Sequence, residues 1–429
     1  MGGAVYIWRH MPPITHRLRK GADKQPGSDT KLAGLDHLRA LAITLVIVFH
    51  YRGFGHPAWT EKTGSFGWTG VDLFFVLSGY LISGPLFRQI ASQGGRISIK
   101  TFFVKRFFRI IPPYLVTVAL YFCIPGFKEY GPPSPLWKYL TFTQNYGLSL
   151  HQYSSFSHAW SLCVEEQFYL LLPFLMTAVV ALKWGRRSAF IIGGLFVLGF
   201  AVRLAGWYAF VQPSVGTDPF ALVWYRWMYY PTYDRLDPLL AGVTIAGLCQ
   251  FYPRAKAFIY GNGNALLVCG LALTGVAFYV CLDTQSFATS TFGFPLVALA
   301  YGCIVASAIS PRCILYRLRS RVTAEIATLS YALYLTHKGI IHNTQVLLGH
   351  WGLDKESNWM FCCCIAAALL GALAMRYIVE KPFIAWKDRL LKRMSPAPQT
   401  GYPLPGIAAS LQNQNATILK EEQENHGPA

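Results

Sequence analysis

Charged side chains are scarce in this chain, and their scarcity excludes most soluble protein classes. Of its 429 residues only 14% are Asp, Glu, Lys or Arg, against about 25% in a typical soluble domain, while 53% are hydrophobic. The mean hydropathy is +0.33. This composition predicts an integral membrane protein.

Several sequence features that are missing narrow the range of possible protein classes further. The ten cysteines show neither CxxC pairs nor a Cys/His spacing typical of a metal site, so we expect no metal. We find no internal repeat, no separate soluble domain and no set of alternating strands typical of a membrane barrel. Residues 1–33 are basic but have no long apolar core, which predicts a cytoplasmic lead rather than a cleavable signal peptide.

Acidic residues are few, 20 against 38 Lys and Arg, and the formal net charge is +18. Such an excess can indicate a nucleic-acid partner. Here the basic residues fall in loops between apolar runs, where membrane topology accounts for them, and we expect no nucleic acid. With a cytoplasmic amino terminus, inside loops hold 28 Lys and Arg and outside loops six. We therefore predict an all-α polytopic membrane helical bundle with both termini cytoplasmic.

About ten apolar runs have the length of a membrane span. They lie near 35–53, 68–87, 107–124, 159–182, 188–210, 234–252, 257–281, 292–310, 323–348 and 358–379. Together they define a predicted membrane domain, residues 34–393. Residues 394–429 are polar and rich in Pro and Gln, which predicts a disordered cytoplasmic tail.

The first span, LDHLRALAITLVIVFHYRG, carries two titratable side chains on one face. Arg39 and His50 are eleven residues apart, which is three helical turns and about 16–17 Å. Considered alone, Arg39 fits an anchor at the membrane edge, and His50 fits a hydrogen-bonded interfacial histidine. Polar residues in spans usually face the bundle interior, however, so both are functional candidates.

The second and third spans carry further candidates. Asp72 enters GWTGVDLFFVLSGYLIS at about the depth of His50, where it could orient the imidazole or simply favour the helix start. Arg106 and Arg109 in KRFFRIIPPY share one helical face near the inside. They fit a phosphate clamp, and positive flanking of a span is the alternative.

Three later spans also hold charges at membrane depth. Glu165 and Glu166 in WSLCVEEQFYLLLPF begin an apolar run, so at least one is predicted to join a polar network or a site. Arg235 and Asp237 enter the sixth span in YDRLDPLLAG, where a structural salt bridge between Arg235 and a fourth-span carboxylate is the alternative. His337 lies midway through the ninth span, although a hydrogen-bonded packing histidine is also possible there.

These positions predict two groups of side chains. We expect an acid–base group in the outer half of the bundle, made of His50, Asp72, Glu165, Glu166 and Asp237. We expect a cationic inner mouth made of Arg39, Arg106 and Arg109.

Six motifs in this order resemble membrane acyltransferase family 3. They are RALAITLVIVFH, GVDLFFVLSGYLI, RFFRIIP, WSLCVEEQFY, RLDPLLAG and LSYALYLTH, and the resemblance extends over residues 35–387. It implies an O-acyltransferase of the inner (plasma) membrane. Such an enzyme would move an acyl group, acetyl above all, from cytoplasmic acyl-CoA to a hydroxyl of an extracytoplasmic glycan or glycolipid. The expected partners are membrane lipid, acyl-CoA and that acceptor; the sequence does not indicate an oligomeric state.

The resemblance also suggests roles for the candidate residues. The three arginines would hold the phosphates of coenzyme A. His50 would act as general base on the acceptor hydroxyl, or accept the acyl group itself, with Asp72 orienting it. Glu165 or Glu166 would position the acceptor or line the coenzyme channel. Four further side chains are expected at the substrate: Trp160, Arg235, Asp237 and His337.

Two other classes remain as alternatives. A transporter or flippase of a polar lipid or glycan also needs buried charges, although the matching halves typical of transporters are not found. A sensor or anchoring protein would not need so many titratable groups from separate spans.

Overall fold

The computed structural model describes residues 32–183 and 187–394. Most of the predicted lead, and the predicted tail beyond Met394, lie outside the described residues. The main helices are Ala33–Tyr51 (α1), Gly70–Ser92 (α2), Ile99–Cys123 (α3), Trp160–Ala181 (α4), Ser188–Gly206 (α5), Leu236–Phe251 (α6), Gly263–Val280 (α7), Phe294–Ala308 (α8), Arg321–His350 (α9), Asn358–Met375 (α10) and Lys381–Met394 (α11). Shorter α-helices are Trp59–Gly64, Leu136–Leu140, Phe220–Trp224, Pro253–Gly261 and Ile314–Arg317. The described ranges contain no strand, only an isolated bridge between Pro133 and Ser155.

Eight of the described helical segments are long and apolar enough to cross a membrane, and all eight coincide with predicted spans. The other two predicted spans coincide with α6, which has only 16 residues, and with α9, which is longer but more polar. The prediction of an all-α polytopic membrane protein is confirmed. The number of ten spans and their orientation remain predictions.

Two helices present their apolar side chains outward. Phe190 and Val197 on α5 are 81% and 69% exposed, and Val268 and Tyr279 on α7 are 67% and 75% exposed. In water, an apolar surface of this extent would favour aggregation. In a bilayer the same surface contacts lipid, because a helix satisfies its own backbone hydrogen bonds and needs only an apolar exterior.

The inner helices pack closely around α1. Helix α1 contacts α2 on one side and α9 on the other, and α2 in turn packs along α6. The α2–α6 contact depends on two facing glycines: a Cβ atom on Gly79 would overlap the Leu239 carbonyl, and one on Gly242 would overlap the Val76 carbonyl. Small residues of this kind let two membrane helices approach backbone to backbone. This arrangement fixes the helices that carry the candidate site.

Candidate active site

Helix α1 places Arg39 and His50 in two different cavities. Arg39 lines a cavity of about 280 Å³, and His50 lines a second one of about 540 Å³. The described residues that line the first cavity do not line the second. We call the first the arginine cavity and the second the histidine cavity. One straight helix therefore connects two chambers whose marker residues are about 16–17 Å apart.

The arginine cavity brings together the three predicted phosphate-binding residues. Arg39, Arg106 and Arg109 all line it. Helix α3 begins at Ile99, earlier than the predicted span, so Arg106 and Arg109 lie within the helix and project on one side. Arg109 is exposed, whereas Arg106 is partly buried. The cationic mouth is thus a contiguous surface of α1 and α3.

Arg106 has hydrogen-bonding capacity left over. Its guanidinium carbon lies 3.6 Å from the centroid of the Tyr169 ring, and its Nη1 atom is buried with no hydrogen-bond partner among the described residues. A buried guanidinium N–H without an acceptor is costly, and planar guanidinium groups match phosphate oxygens. The wall opposite is apolar, formed by Phe74, Leu77 and Leu81 of α2. The cavity therefore fits a ligand with phosphates at one end and an uncharged chain at the other.

Glu165 and Glu166 also line the arginine cavity, and neither lines the histidine cavity. Their predicted grouping with His50 is therefore wrong. Helix α4 begins at Trp160, in agreement with the predicted span, but the two acids lie more than one turn along the helix and on the side that reaches the arginines. Glu165 lies one helical turn before Tyr169, which places an acid beside the ring on which Arg106 stacks.

The two predicted histidines form a direct hydrogen bond. His50 Nδ1 lies 2.9 Å from His337 Nε2. His337 Nδ1 lies 2.9 Å from the Leu333 carbonyl oxygen and 3.0 Å from that of Tyr334, so this nitrogen must carry a proton and donate it. In neutral rings, His337 Nε2 then accepts and His50 Nδ1 donates. The lone pair of His50 is consequently on Nε2, which makes no hydrogen bond within the described chain. This is the tautomer that a general base or a nucleophile needs.

Aromatic side chains dominate the wall of the histidine cavity. Trp68, Trp224, Tyr225 and Tyr229 line it together with His50. Rings of this type offer flat apolar faces, and Tyr and Trp add a hydrogen-bonding group at the edge. The cavity therefore suits a ligand with both apolar faces and hydroxyls.

Charged groups lie at the rim and the floor of the histidine cavity. At the rim, two hydrogen bonds from Arg52 hold the pKa of the Glu61 carboxyl below its ordinary value. Burial raises the pKa of Tyr130 to about 12, so its hydroxyl stays neutral and donates to the Gly53 carbonyl. On the floor, Lys338 extends its ammonium group to a fully buried carboxylate, Glu129, at 2.8 Å.

Asp72 does not contact His50, so the predicted orienting contact is wrong. Both Asp72 carboxylate oxygens accept from Arg235 Nη2, at 2.7 and 2.9 Å, and both side chains are almost completely buried. The guanidinium of Arg235 also lies 4.3 Å from the Phe294 ring and 4.9 Å from the Tyr229 ring. Arg235, a cation at the start of α6, is the partner of this carboxylate, and His50 hydrogen-bonds with His337 instead.

Trp160, Arg235 and Asp237 reach neither cavity in the described structure. Trp160 stands behind the cavity wall, with its ring 5.0 Å from that of Tyr229. Asp237 forms a buried ion pair with Arg203 of α5. The predicted alternative of a structural salt bridge therefore describes Arg235, although its partner comes from the second span and not from the fourth.

The match to a known protein family agrees with this geometry. Residues 32–377 match the family model described as an acyltransferase domain. The chain belongs to this acyltransferase family. The predicted membership of membrane acyltransferase family 3 is confirmed, and with it the prediction of an acyltransferase.

Relatives of this acyltransferase are O-acetyltransferases by name. The chain is 29% identical over 369 residues to the peptidoglycan O-acetyltransferase OatA of Listeria monocytogenes, covering 80% of this chain and 54% of the relative. It is 28% identical over 327 residues to the O-acetyltransferase OatA of Staphylococcus aureus, covering 72% of this chain and 50% of the relative. The chain thus spans about half the length of these curated relatives. No solved structure matches it.

Sequence reasoning missed two side chains of the candidate site. His158 precedes α4 and packs against both His50 and His337, with ring centroids 5.6 and 5.0 Å away. Glu129 holds Lys338, but a single acid in a loop gives no sequence signal of that role. His158 was visible as a histidine at a span boundary. What was not visible is that α4 brings it against the ninth span. Within residues 32–183 and 187–394, no three His, Cys, Asp or Glu side chains are arranged to hold a metal ion.

Proposed function

We propose that this acyltransferase moves an acetyl group from cytoplasmic acetyl-CoA to a hydroxyl of an extracytoplasmic glycan. One observation carries the proposal: α1 places Arg39 in a cationic cavity and His50, with a free ring nitrogen, in an aromatic one. Membership of the family supports transfer of an acyl group. The names of the relatives favour acetyl as that group and a cell-wall glycan as its acceptor.

The donor enters the arginine cavity in this proposal. Coenzyme A carries several phosphate charges at one end and a long uncharged arm ending in the thioester at the other. The three arginines would bind the phosphates, with Arg109 at the exposed end and the unpartnered Nη1 of Arg106 donating deeper in. The arm would follow the apolar face of α2 toward the histidines. The excess of Lys and Arg in loops on the same side supports a cytoplasmic opening.

The acceptor enters the histidine cavity, where its hydroxyl meets His50. Nε2 takes the hydroxyl proton as the oxygen attacks the thioester carbon. The C–S bond then breaks, the carbonyl re-forms, and the coenzyme A thiolate takes the proton from His50. His337 holds the ring in place throughout, because its own Nδ1–H is fixed on two backbone carbonyls. The same free nitrogen also permits the second route, in which His50 first accepts the acetyl group.

The test is acetyl transfer by purified protein in liposomes. The substrates are acetyl-CoA labelled in the acetyl group and soluble peptidoglycan glycan strands. We expect the parent to label the strands and His50→Ala to be slower by about 10²–10⁴-fold, the usual contribution of a general base. His350→Ala, which removes an exposed histidine at the end of α9, is the matched control and should behave like the parent. If the protein itself becomes labelled when acetyl-CoA is added without glycan, the route through an acetylated histidine is the correct one.

Two results would count against the proposal. One is a folded parent that neither labels the strands nor releases coenzyme A from acetyl-CoA. The other is a His50→Ala variant that works as fast as His350→Ala. Movement of a labelled glycolipid across the liposome membrane without acetylation would instead favour a transporter.

A further inference from the structure

His158 is a buried histidine whose two ring nitrogens have no hydrogen-bond partner in the described structure. The residue is only 2% exposed. A neutral imidazole has one N–H to donate and one lone pair to accept, and leaving both unsatisfied away from water is unfavourable. Such groups in a close-packed interior indicate either a missing ligand atom or a functional role.

The backbone at His158 forms part of the partition between the two cavities. Its carbonyl oxygen accepts a hydrogen bond from the Tyr334 hydroxyl at 2.8 Å, and that hydroxyl is 2.5 Å from Ser161 Oγ. Tyr334 and Ser161 both line the arginine cavity. On the other side, the ring of His158 packs against His50, which lines the histidine cavity. His158 itself lines neither cavity, but a thioester that passes from the arginine cavity to His50 has to cross this partition beside it.

The histidine pair cannot supply every group that acyl transfer needs. His337 uses its proton on backbone carbonyls and its lone pair on His50, so His50 Nε2 is a base and offers no proton at the start. A donor is also required for the negative charge that develops on the thioester oxygen. Lys338 is the other nearby donor, but its ammonium group is held by Glu129 at 2.8 Å and by Ser157 at 3.4 Å. The N–H of His158 makes no hydrogen bond of good geometry within the described residues, although a backbone acceptor, the Leu335 carbonyl, lies close to it.

We propose that His158 donates this N–H to the carbonyl oxygen of the acyl thioester and stabilises the oxyanion formed in transfer. The inference rests on the proposed function. As the acceptor oxygen bonds to the acyl carbon, its proton goes to His50 Nε2 and the carbonyl π electrons move onto oxygen. His158 keeps its proton and only hydrogen-bonds to that oxygen. When the electron pair returns, the C–S bond breaks and the thiolate takes the proton from His50. His158 is thus a catalytic residue that touches the reacting carbonyl.

Two substitutions test the donor. His158→Phe keeps the ring shape and removes the N–H, and His158→Gln keeps an N–H donor on a flexible side chain. We expect kcat to fall by about 10²–10³-fold in His158→Phe, the usual effect of removing one oxyanion donor, with coenzyme A affinity unchanged. His158→Gln should recover part of that loss. His342→Phe, a partly buried histidine of α9 that lines neither cavity, is the matched control.

The outcomes separate the inference from the proposed function. If the parent acetylates glycan and His158→Phe keeps the parental kcat, the donor role is wrong while the acyltransferase proposal stands. If His158→Gln binds coenzyme A normally yet is as slow as His158→Phe, the side chain acts by shape, and the donor role is again wrong. A folded parent without acetyl transfer overturns both. Should His158→Phe fail to fold, His158→Leu, which also has no N–H, takes its place. A parental kcat in His158→Leu, or a loss beyond 10³-fold in His158→Gln, contradicts a replaceable donor.

Discussion

The arginines at membrane depth fall into two groups that differ in how their charge is compensated. Arg203 and Arg235, which we call the closed arginines, are each about 1% exposed and paired with a buried carboxylate. Arg39, Arg106 and Arg109, the open arginines, line a cavity. A buried charge is tolerated when a partner compensates its lost hydration. The closed arginines have that partner within the fold, although two nitrogens of each still lack a hydrogen-bond partner among the described residues. The open arginines face a cavity, where a ligand can reach them.

The comparison shows that a charge in a span marks a candidate functional site only when a cavity gives a ligand access to it. Asp72 illustrates the point, because its position in the sequence is as suggestive as that of His50. The structure commits Asp72 fully to Arg235, while His50 retains a free nitrogen. Depth in the membrane alone does not separate these two situations.

Breaking a closed pair should have the largest effect on stability. Asp72→Asn leaves Arg235 charged and buried without compensation, which costs about 3–5 kcal/mol of unfolding free energy for a buried pair. The measurement is thermal or denaturant unfolding in detergent, followed by tryptophan fluorescence. Asp72→Asn/Arg235→Gln, which removes both charges, should recover part of the loss.

Asp36→Asn is the matched control for that prediction. Asp36 pairs with the open Arg39 at 3.8 Å and is partly exposed, so its removal should cost at most about 1 kcal/mol. Equal unfolding midpoints for the parent and Asp72→Asn would show that the closed pair is not a structural element.

Removing open arginines should affect ligand binding and leave stability nearly unchanged. Each charge-assisted hydrogen bond contributes about 1.5–3 kcal/mol, so Arg106→Gln and Arg109→Gln should each weaken coenzyme A binding by about 10- to 150-fold. Calorimetric titration with coenzyme A measures this. Parental affinity should also fall as ionic strength rises, because salt screens exposed charges such as that of Arg109.

Arg254→Gln tests whether any surface cation would give the same result, since Arg254 is exposed on the helix Pro253–Gly261. It should bind coenzyme A like the parent. If Arg106→Gln and Arg109→Gln bind coenzyme A as tightly as the parent, the distinction between open and closed arginines is wrong.

The smallest effect is expected in the histidine cavity. Tyr225 lines it, and Tyr225→Phe removes one hydroxyl that can reach an acceptor. The KM for the glycan should rise about 2- to 10-fold, the equivalent of one neutral hydrogen bond, while the KM for acetyl-CoA stays constant. Tyr208→Phe changes an exposed tyrosine nearby and serves as control. If Tyr225→Phe changes only the KM for acetyl-CoA, the histidine cavity binds the donor and the assignment of the two cavities is wrong.

Much of the fold could be predicted because the information lies along the chain. All eight membrane-length helices coincide with apolar runs, and Arg106 and Arg109 share a face because they are three residues apart. Which cavity a side chain reaches was harder to predict, since it depends on how the helices pack. The predicted group of Glu165 and Glu166 with His50 is wrong although α4 begins where its span is predicted, because both acids face the arginine cavity.

The sequence by itself determined the membrane class, the helices, the family and the spacing of Arg39 and His50 along α1. These follow from local properties: apolar length, helical period and the order of motifs. Only the tertiary structure decided which charges meet. It paired Asp72 with Arg235, joined His50 to His337 and packed His158 against both histidines. The physical reason is that a polar side chain in an apolar bundle takes the nearest compensating group, and nearness between helices is set by packing.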